Sequence, residues 1–513
     1  MPDGRDLNNP AVRFLRQCYI KKVFYMKISL RLLSLLSAAL LIAGVIFACG
    51  SASDEKTNTP GANNAAAAAE TTSEGNTKRI YSSEIEAVDY GGYEFHMATN
   101  GLNIEYHSAL DFEEMTGDAL DDAIYERNRR VEDKFNIKMS CVNDSAASKL
   151  KNSVISGSND YDFVYVLCEE VMDLVAGGYL MPINDLGCID MTKPYWDIGA
   201  QETLKITGKM YHGYLDIGFD HYESMATLFF SGELIRDFNL DDPFQLYKDK
   251  DWTMDKMFSM MTAVAADLNG DGKFTVKDDR LGFVGREFEY LPMLYSSNEP
   301  LVDIINENDE YSMRFNIDSE RLISIGTLID KMLNDKTISA LARDDATRSM
   351  FKEGRALFYS RLMGDFRNLR DQEDDYGVIS YPTFDYAKDR QYVYVQNPFA
   401  VIVPISTEDI DRTGIIIESL AADTYDHVLD IYFEKAVIGK GTRDENSADM
   451  MRDMITRRAY DISYAYGLRG TSVNAYTNAV KASSYTSIGA RFISAFEKKA
   501  EKNLEKILEG FDY

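Results

Sequence analysis

Tyr161-Asp-Phe-Val-Tyr-Val-Leu167 is an apolar run short enough to be a strand buried on both faces, as strands of parallel sheets are. Upstream, Tyr93-Glu-Phe-His-Met-Ala alternates as a half-buried strand does and runs into a loop around Thr99–Gly101. Between them, Gly117–Phe135 places Leu120, Ile124, Val131 and Phe135 at helical spacing, which predicts an amphipathic helix. Asn136-Ile-Lys-Met-Ser-Cys-Val then reads as a further strand. Strand and helix in alternation imply an α/β sheet with crossover connections.

The second half repeats the alternation with more helix. Trp252–Asp267 and Ser319–Asn334 read as helices, and Leu357–Tyr359, Gly377–Ser380 and Tyr392–Val403 as strands. From Ala436 onward the pattern is mostly helical and closes on the amphipathic FEKKAEKNLEKILEGF, residues 496–511. There is no internal repeat and no second membrane-spanning pattern.

The N-terminal region carries an address. Met26–Gly50 has a short basic start (Lys27, Arg31), a mostly apolar run from Leu32 to Ala48, and Cys49 directly after small Ala48. That is the layout of an export signal cleaved before a lipid-bearing cysteine, so Cys49 is the expected lipidation site and the remainder is expected on the outer face of the cell membrane. A retained membrane helix is the alternative, because the run is nearly long enough to span. Met26 is the expected true start, which would make residues 1–25 a mis-assigned leader. Residues 50–79 are small and polar, cannot bury a core, and read as a flexible tether.

The whole chain has a formal charge of −28; residues 1–48 carry seven Lys/Arg and two Asp/Glu, or +5, which leaves −33 for the rest. Such acidity disfavours nucleic acid and anionic membrane surfaces as partners, since both bind through Lys/Arg. Roughly 430 residues beyond the tether suffice for two lobes with real cores. Cys141, Cys168 and Cys188 allow one disulfide and no disulfide framework.

The sharpest local motif is Asp267-Leu-Asn-Gly-Asp-Gly-Lys-Phe-Thr-Val-Lys-Asp278. A twelve-residue calcium loop needs oxygen ligands at positions 1, 3, 5, 7, 9 and 12 and glycine at 6. Those positions are Asp267, Asn269, Asp271, the Lys273 carbonyl, Thr275 and Asp278, with Gly272 at the turn and Phe274 packing inward. The spacing predicts a structural calcium site, and the loop resembles those of dockerins. Aspartate at position 12 departs from the usual glutamate and shortens the reach.

Taken in order, these pieces resemble a family. Tyr161-Asp-Phe-Val-Tyr-Val with Gly177-Gly-Tyr-Leu-Met-Pro-Ile-Asn-Asp185, then Pro194-Tyr-Trp-Asp197 with Ile206-Thr-Gly-Lys-Met-Tyr211, are similar to segments of the extracellular solute-binding proteins of carbohydrate-type ABC importers, the maltodextrin-binding-protein-like family 1 in lipoprotein form. Thr227-Leu-Phe-Phe-Ser, Asp251-Trp-Thr-Met-Asp-Lys-Met, Leu281-Gly-Phe, Phe351-Lys-Glu-Gly-Arg-Ala-Leu-Phe and Tyr376-Gly-Val-Ile-Ser-Tyr-Pro382 continue the resemblance; Ser231 and Gly232 replace that family's usual polar pair. The resemblance implies an α/β, two-lobed periplasmic-binding-protein-like fold of type II. One lobe would take 80–220 plus 388–440 and the other 221–387 plus 441–513, with hinges near Asp216–Glu223 and Asp385–Tyr392. Ligand would bind in the cleft between lobes that close about these hinges.

Sugar sites combine aromatic faces with planar polar side chains that fork hydrogen bonds to hydroxyls. By the resemblance, loops at strand ends supply them: Asn100 and Asn103; Glu169 and Glu170; Asp220, His221, Tyr222 and Glu223; Arg286, Glu287 and Tyr290; Arg361 and Met363; and Asn397. Each has a duller account. Glu169 and Glu170 suit the first turn of a helix, Arg361 suits an internal ion pair, and Met363 stands where some relatives present a stacking aromatic. Trp252 opens a helix and reads as a core anchor, and His107, His212 and His221 lack metal-ligand spacing.

The expected function is capture of a carbohydrate, of oligosaccharide size, by a monomer that delivers it to ABC-transporter permease subunits, with membrane attachment through the lipid. The alternatives are a surface glycan hydrolase, which needs a carboxylate pair at defined separation, and an orphan sensor or peptide-binding lipoprotein on the same fold. No H-E-x-x-H, G-x-S-x-G or phosphate-loop pattern supports an enzyme.

Overall fold

The computed structural model describes residues 79–100, 109–205, 207–286, 290–307, 310–316, 319–342, 345–369, 371–372, 375–388, 390–434, 445–466, 502, 505–506 and 508–510, all within the unit Lys78–Tyr513. The export signal, Cys49 and the tether through residue 78 lie outside the described residues, as do Asn103, His107, Glu287 and most of residues 496–511.

In chain order the strands are β1 Tyr93–Thr99, β2 Ile137–Asn143, β3 Phe163–Leu167, β4 Leu180–Met181, β5 Ala226–Ser231, β6 Leu281–Gly285, β7 Val302–Glu307, β8 Glu310–Phe315, β9 Ser339–Leu341, β10 Ala356–Leu362, β11 Tyr376–Ile379, β12 Val393–Val395, β13 Phe399–Pro404 and β14 Arg458–Tyr460. They build two five-stranded sheets, β2-β1-β3-β13-β4 and β11-β5-β10-β6-β9, with the pairs β12-β14 and β7-β8 beside them. β1 runs parallel to β2 and β3, whereas β13 returns antiparallel to β3. In the second sheet β10 is parallel to β6 and antiparallel to β5.

Local chemistry accounts for the elements. The helix Ala119–Phe135 starts where the Asp118 carboxylate accepts the Leu120 N–H, and ends at Asn136 in the left-handed region, φ 48°. Its apolar stripe, Leu120, Ile124, Val131 and Phe135, is buried with the strands of the first sheet. Arg127 is also buried and ties this helix to two distant segments, donating to the carbonyls of Ile217 (2.7 Å) and Leu110 (2.8 Å). Burial lowers its guanidinium pKa to about 10.

In the second sheet, the helix Met254–Val264 presses on β6 so closely that a β-carbon at Gly282 would meet the Met261 backbone at 2.4 Å. Trp252 precedes that helix as a core anchor, buried and donating Nε1–H to the Ser380 carbonyl at 2.9 Å. Trp196 is equally buried, in the first core.

Two expectations change. The run Tyr392–Val403 is not one strand: β12 and β13 belong to different sheets, and Gln396-Asn397-Pro398 separates them. The pattern is apolar on both sides of the break, so periodicity alone does not reveal it. The second passage between sheets is accordingly made by Val393–Phe399, beyond Asp385–Tyr392, because Asp385 is still held by Arg321 and the Tyr392 N–H by the Tyr295 carbonyl. The region after Ala436 also includes strand β14, parallel to β12. Cys141, Cys168 and Cys188 are all free thiols.

Candidate functional site

The two sheets turn the same ends toward the crossovers. β1 and β3 end at Thr99 and Leu167, beside the start of antiparallel β13, while β6 and β10 end at Gly285 and Leu362, beside the start of antiparallel β5. The connectors that enter β5 and β13 lie side by side, since the Gln396 N–H donates to the Ser224 carbonyl at 2.9 Å and Met225 bridges to Val395. Carboxyl ends of strands at a topological switch are where α/β sheets bind ligands.

At this edge the first sheet supplies Asn100, Glu169 and Glu170. The Asn100 amide donates to the Glu170 carboxylate, and its oxygen accepts the Ala146 N–H at 3.0 Å. Burial raises the Glu170 carboxyl pKa, and the Asn100 bond pulls only part of the way back. Asn397 Oδ1 accepts the Glu169 N–H and the Cys168 thiol, each at 3.2 Å. From the second sheet, Arg286 donates to the Gln396 side chain at 3.4 Å. Asn100, Glu169, Glu170, Arg286 and Asn397 therefore form one half-buried polar strip across the crossovers. Glu169 and Glu170 also stand in the first turn of the helix Cys168–Ala176, so helix start and strip coincide.

Other sequence candidates are buried. His221 and Tyr222 are buried and both bond Asp216, at 3.2 and 2.6 Å. Burial lowers the His221 pKa, which favours the neutral ring. Glu223 has no exposed side-chain surface and is met by Arg367 from the helix Phe366–Leu369. Asp220 accepts the Tyr165 hydroxyl at 3.0 Å. Tyr290 and Met363 are buried in the core. Arg361 is spent internally, its Nε–H donated to the Tyr359 hydroxyl at 2.8 Å, and Tyr359 donates in turn to Asp365.

Sequence reasoning passed over Gln396, Arg367 and Cys168. Only Gln396 left a signal, as the polar neighbour of Asn397; Arg367 sits on a short helix with no motif. A separate cavity of about 390 Å³ is lined by Tyr295, Asp303, Tyr392 and Tyr460 among others, and by none of the predicted residues.

The Asp267–Asp278 loop is held by its own backbone. Asp267 accepts the N–H groups of Gly270 (2.7 Å) and Gly272 (2.8 Å), Asn269 that of Asp271, and Asp271 that of Lys273. Gly272 takes φ 75° at the turn position. Buried Asp279 closes the loop by accepting the N–H groups of Leu268 (3.1 Å) and Thr275 (2.7 Å), whereas Asp278 is turned outward beside Lys277. Among the described residues no group of three or more His, Cys, Asp or Glu converges to hold a metal ion. Nor, among them, is any helix long and apolar enough to cross a membrane.

No family model matches the sequence, and no curated protein matches it. Solved structures do match by shape. The sugar-binding protein MalE from the phytopathogen Xanthomonas citri aligns with TM-score 0.55 at 12% identity, over 80% of this chain and 98% of that one. The extracellular solute-binding protein from Staphylococcus aureus in complex with maltose gives 0.53 at 13%, over 82% and 98%. The maltose/maltodextrin-binding domain MalE from Bdellovibrio bacteriovorus bound to maltotriose gives 0.51 at 13%, over 80% and 100%. At such identities the likeness is one of architecture, and it agrees with the two-sheet frame and its paired crossovers: the chain has the two-lobed α/β fold of the maltodextrin-binding, periplasmic-binding-protein-like solute-binding proteins.

Proposed function

We propose that this chain is an extracellular solute-binding lipoprotein that captures a carbohydrate of oligosaccharide size and presents it to an ABC-transporter permease. The observation that carries the reading is the polar strip Asn100, Glu169, Glu170, Arg286 and Asn397 at the carboxyl ends of both sheets, beside the crossovers. Planar amides, carboxylates and a guanidinium are the groups that fork hydrogen bonds to sugar hydroxyls. Relatives in fold that hold maltose and maltotriose support the same class of ligand. Binding rather than hydrolysis is the role, and the sugar should be recovered unchanged. Export, cleavage before Cys49 and lipid attachment complete the proposal and would leave a tethered monomer outside the membrane.

The test is a thermal-shift screen of the whole chain with maltooligosaccharides, monosaccharides and peptides. A ligand that binds only the folded state raises Tm by mass action. A saturable shift with an oligosaccharide supports the reading; a shift with peptides alone, or breakdown of the sugar during incubation, sinks it. Radiolabelled palmitate incorporated by the native protein and not by Cys49→Ser tests the anchor.

Calcium belongs to the same proposal as a structural ion. Asp267, Asn269, Asp271, Thr275 and the Lys273 carbonyl would hold it, Asp278 would have to turn back from Lys277 to join them, and the spacing together with the positive φ of Gly272 supports this. Its charge would brace the loop without contributing to sugar capture.

A further inference from the structure

We propose a second binding site, for a single neutral sugar ring, in the tyrosine-walled cavity bounded by the helices Ile198–Leu204 and Tyr290–Ser296, β7 and β14. The cavity measures about 390 Å³, and its lining residues include Tyr295, Tyr392 and Tyr460 with Thr203, Asn298 and Asp303. It shares no residue with the polar strip at the crossovers.

The walls are the first argument. Tyr295 and Tyr460 are only 6% and 3% exposed, so the floor of the cavity is part of the core, while half-buried Tyr392 offers the larger ring surface. The Tyr295 hydroxyl donates to Asp461 at 3.0 Å and that of Tyr460 to Asp197 at 2.7 Å, which commits the hydroxyls and leaves the rings to meet a ligand. Each ring is backed by another group. Tyr394 packs on Tyr295 and Tyr214 on Tyr460, with centroids 5.0 and 4.5 Å apart, and the Arg390 guanidinium lies over Tyr392 at 4.8 Å. The Tyr392 N–H is also tied to the Tyr295 carbonyl at 3.2 Å. Rings held in place cover the C–H side of a sugar without a further ordering cost.

The polar groups are the second argument. Asp303 Oδ2 accepts from Arg314 at 2.7 Å and from Asn316 at 2.9 Å, which fixes the carboxylate and leaves its other oxygen to accept a sugar hydroxyl. The Asn298 amide brings a donor and an acceptor on one plane, and the Thr203 hydroxyl, which donates to the Gly199 carbonyl at 2.7 Å, can still accept. The acids of the lining are charge-paired, Asp303 with Arg314 and Glu202 with Arg390 at 3.3 Å, which favours a neutral ligand over an ion. Aromatic walls and planar polar groups thus stand together here, whereas none of the five residues of the strip is aromatic. The volume falls at the lower end of the range for small-molecule sites, about 300–1,000 Å³, which suits one ring rather than an oligosaccharide.

The test uses the whole chain and calorimetric titration with glucose, galactose and N-acetylglucosamine. Sorbitol, which has the hydroxyls without the ring, is the control. The expected result is saturable binding of at least one of the three sugars, weakened tenfold or more in Tyr392→Ala and in Asn298→Ala/Asp303→Asn. Tyr392→Phe, which keeps the ring, and Glu170→Gln, which alters only the strip, should leave that binding in place. Circular dichroism confirms folding, and if Tyr392→Ala is unfolded the Asn298→Ala/Asp303→Asn variant decides alone. No saturable response to any of the sugars, a response matched by sorbitol, or unweakened binding by the folded cavity variants overturns the proposal.

Discussion

Asn397 and Glu169 are joined by one hydrogen bond that fastens a crossover to the edge of the first sheet: the Glu169 N–H donates to Asn397 Oδ1 at 3.2 Å, with Asn397 held at φ 45°. Asparagine tolerates this left-handed backbone better than other residues with a β-carbon. Asn397→Gly keeps the conformation and loses the acceptor, at about 1 kcal/mol for one hydrogen bond. Asn397→Ala loses the acceptor and adds about 1–2 kcal/mol of backbone strain. Urea unfolding should rank stability wild type, Gly, Ala, while both variants weaken oligosaccharide binding because Glu169 is no longer oriented.

Glu223 and Arg367 form a buried ion pair between the segment entering β5 and the segment leaving β10. The Glu223 side chain is fully buried and that of Arg367 is 22% exposed. Burial alone lowers the Arg367 pKa, and Glu223, with Tyr432 and Asp220 nearby, together more than offset it. Removing one partner of such a buried pair costs about 3–5 kcal/mol because the other charge is stranded. Arg367→Met should therefore destabilise strongly in urea unfolding, and Glu223→Gln/Arg367→Met should recover part of the loss. A double variant no better than Arg367→Met would show that the pair is not coupled.

Glu418 makes stability depend on pH. It is buried, accepts from Tyr195 Oη (2.9 Å), Trp196 Nε1 (3.0 Å) and the Asp190 N–H (3.2 Å), and burial raises its pKa to about 7. The folded state therefore binds the proton more tightly than the unfolded state. Its contribution to stability is full below the unfolded value of 4.5 and is lost as pH rises through about 7, a change of at most about 3 kcal/mol. Buried His212, lowered to about 4, works the other way: its contribution is full above 6.5 and is lost as pH falls toward 4. The difference between wild type and Glu418→Gln isolates the first term. Since the chain has two tryptophans, Trp252→Phe leaves Trp196 emission as a local reporter, expected to titrate near pH 7 and to stop doing so in Glu418→Gln.

The Asp267–Asp278 loop predicts a contrast between neighbouring aspartates. Asp279 closes the loop through backbone N–H groups, and although burial alone would raise its carboxyl pKa, the Thr275 and Leu268 N–H groups hold it below the usual value. Asp279→Ala should lower Tm with chelator present as well as with calcium. Asp271→Ala, which without calcium loses one exposed turn hydrogen bond to the Lys273 N–H, should have its main effect when calcium is supplied, by abolishing a calcium-induced rise in Tm. A Tm indifferent to calcium and chelator in the unaltered protein removes the metal from the account.

Much of the frame is legible in the sequence. The alternation at Tyr93, the helical spacing of Leu120, Ile124, Val131 and Phe135, and the short apolar run before Leu167 correspond to β1, the helix Ala119–Phe135 and β3. Local patterns carry this because a buried stripe or face leaves its period in the chain. The sequence also brought Asn100, Glu169, Glu170, Arg286 and Asn397 into view, through positions that follow strands.

Contacts between distant segments were decided only by the tertiary structure. Val393–Val395 and Phe399–Pro404 share one apolar pattern but pair with β14 and with β3 and β4, and period-2 alternation cannot say which sheet a strand joins. Tyr290 and Met363 follow strands as Arg286 does and Arg361 lies in the end of β10, yet all three are buried; exposure depends on which neighbours pack above a residue, and those arrive from far along the chain. Arg367 meets Glu223 across 144 residues, a contact between the segment entering β5 and the segment leaving β10. Period and composition thus determine the elements and their class, while which candidate residues are buried and which stay half-exposed is set by long-range packing, which leaves no local trace.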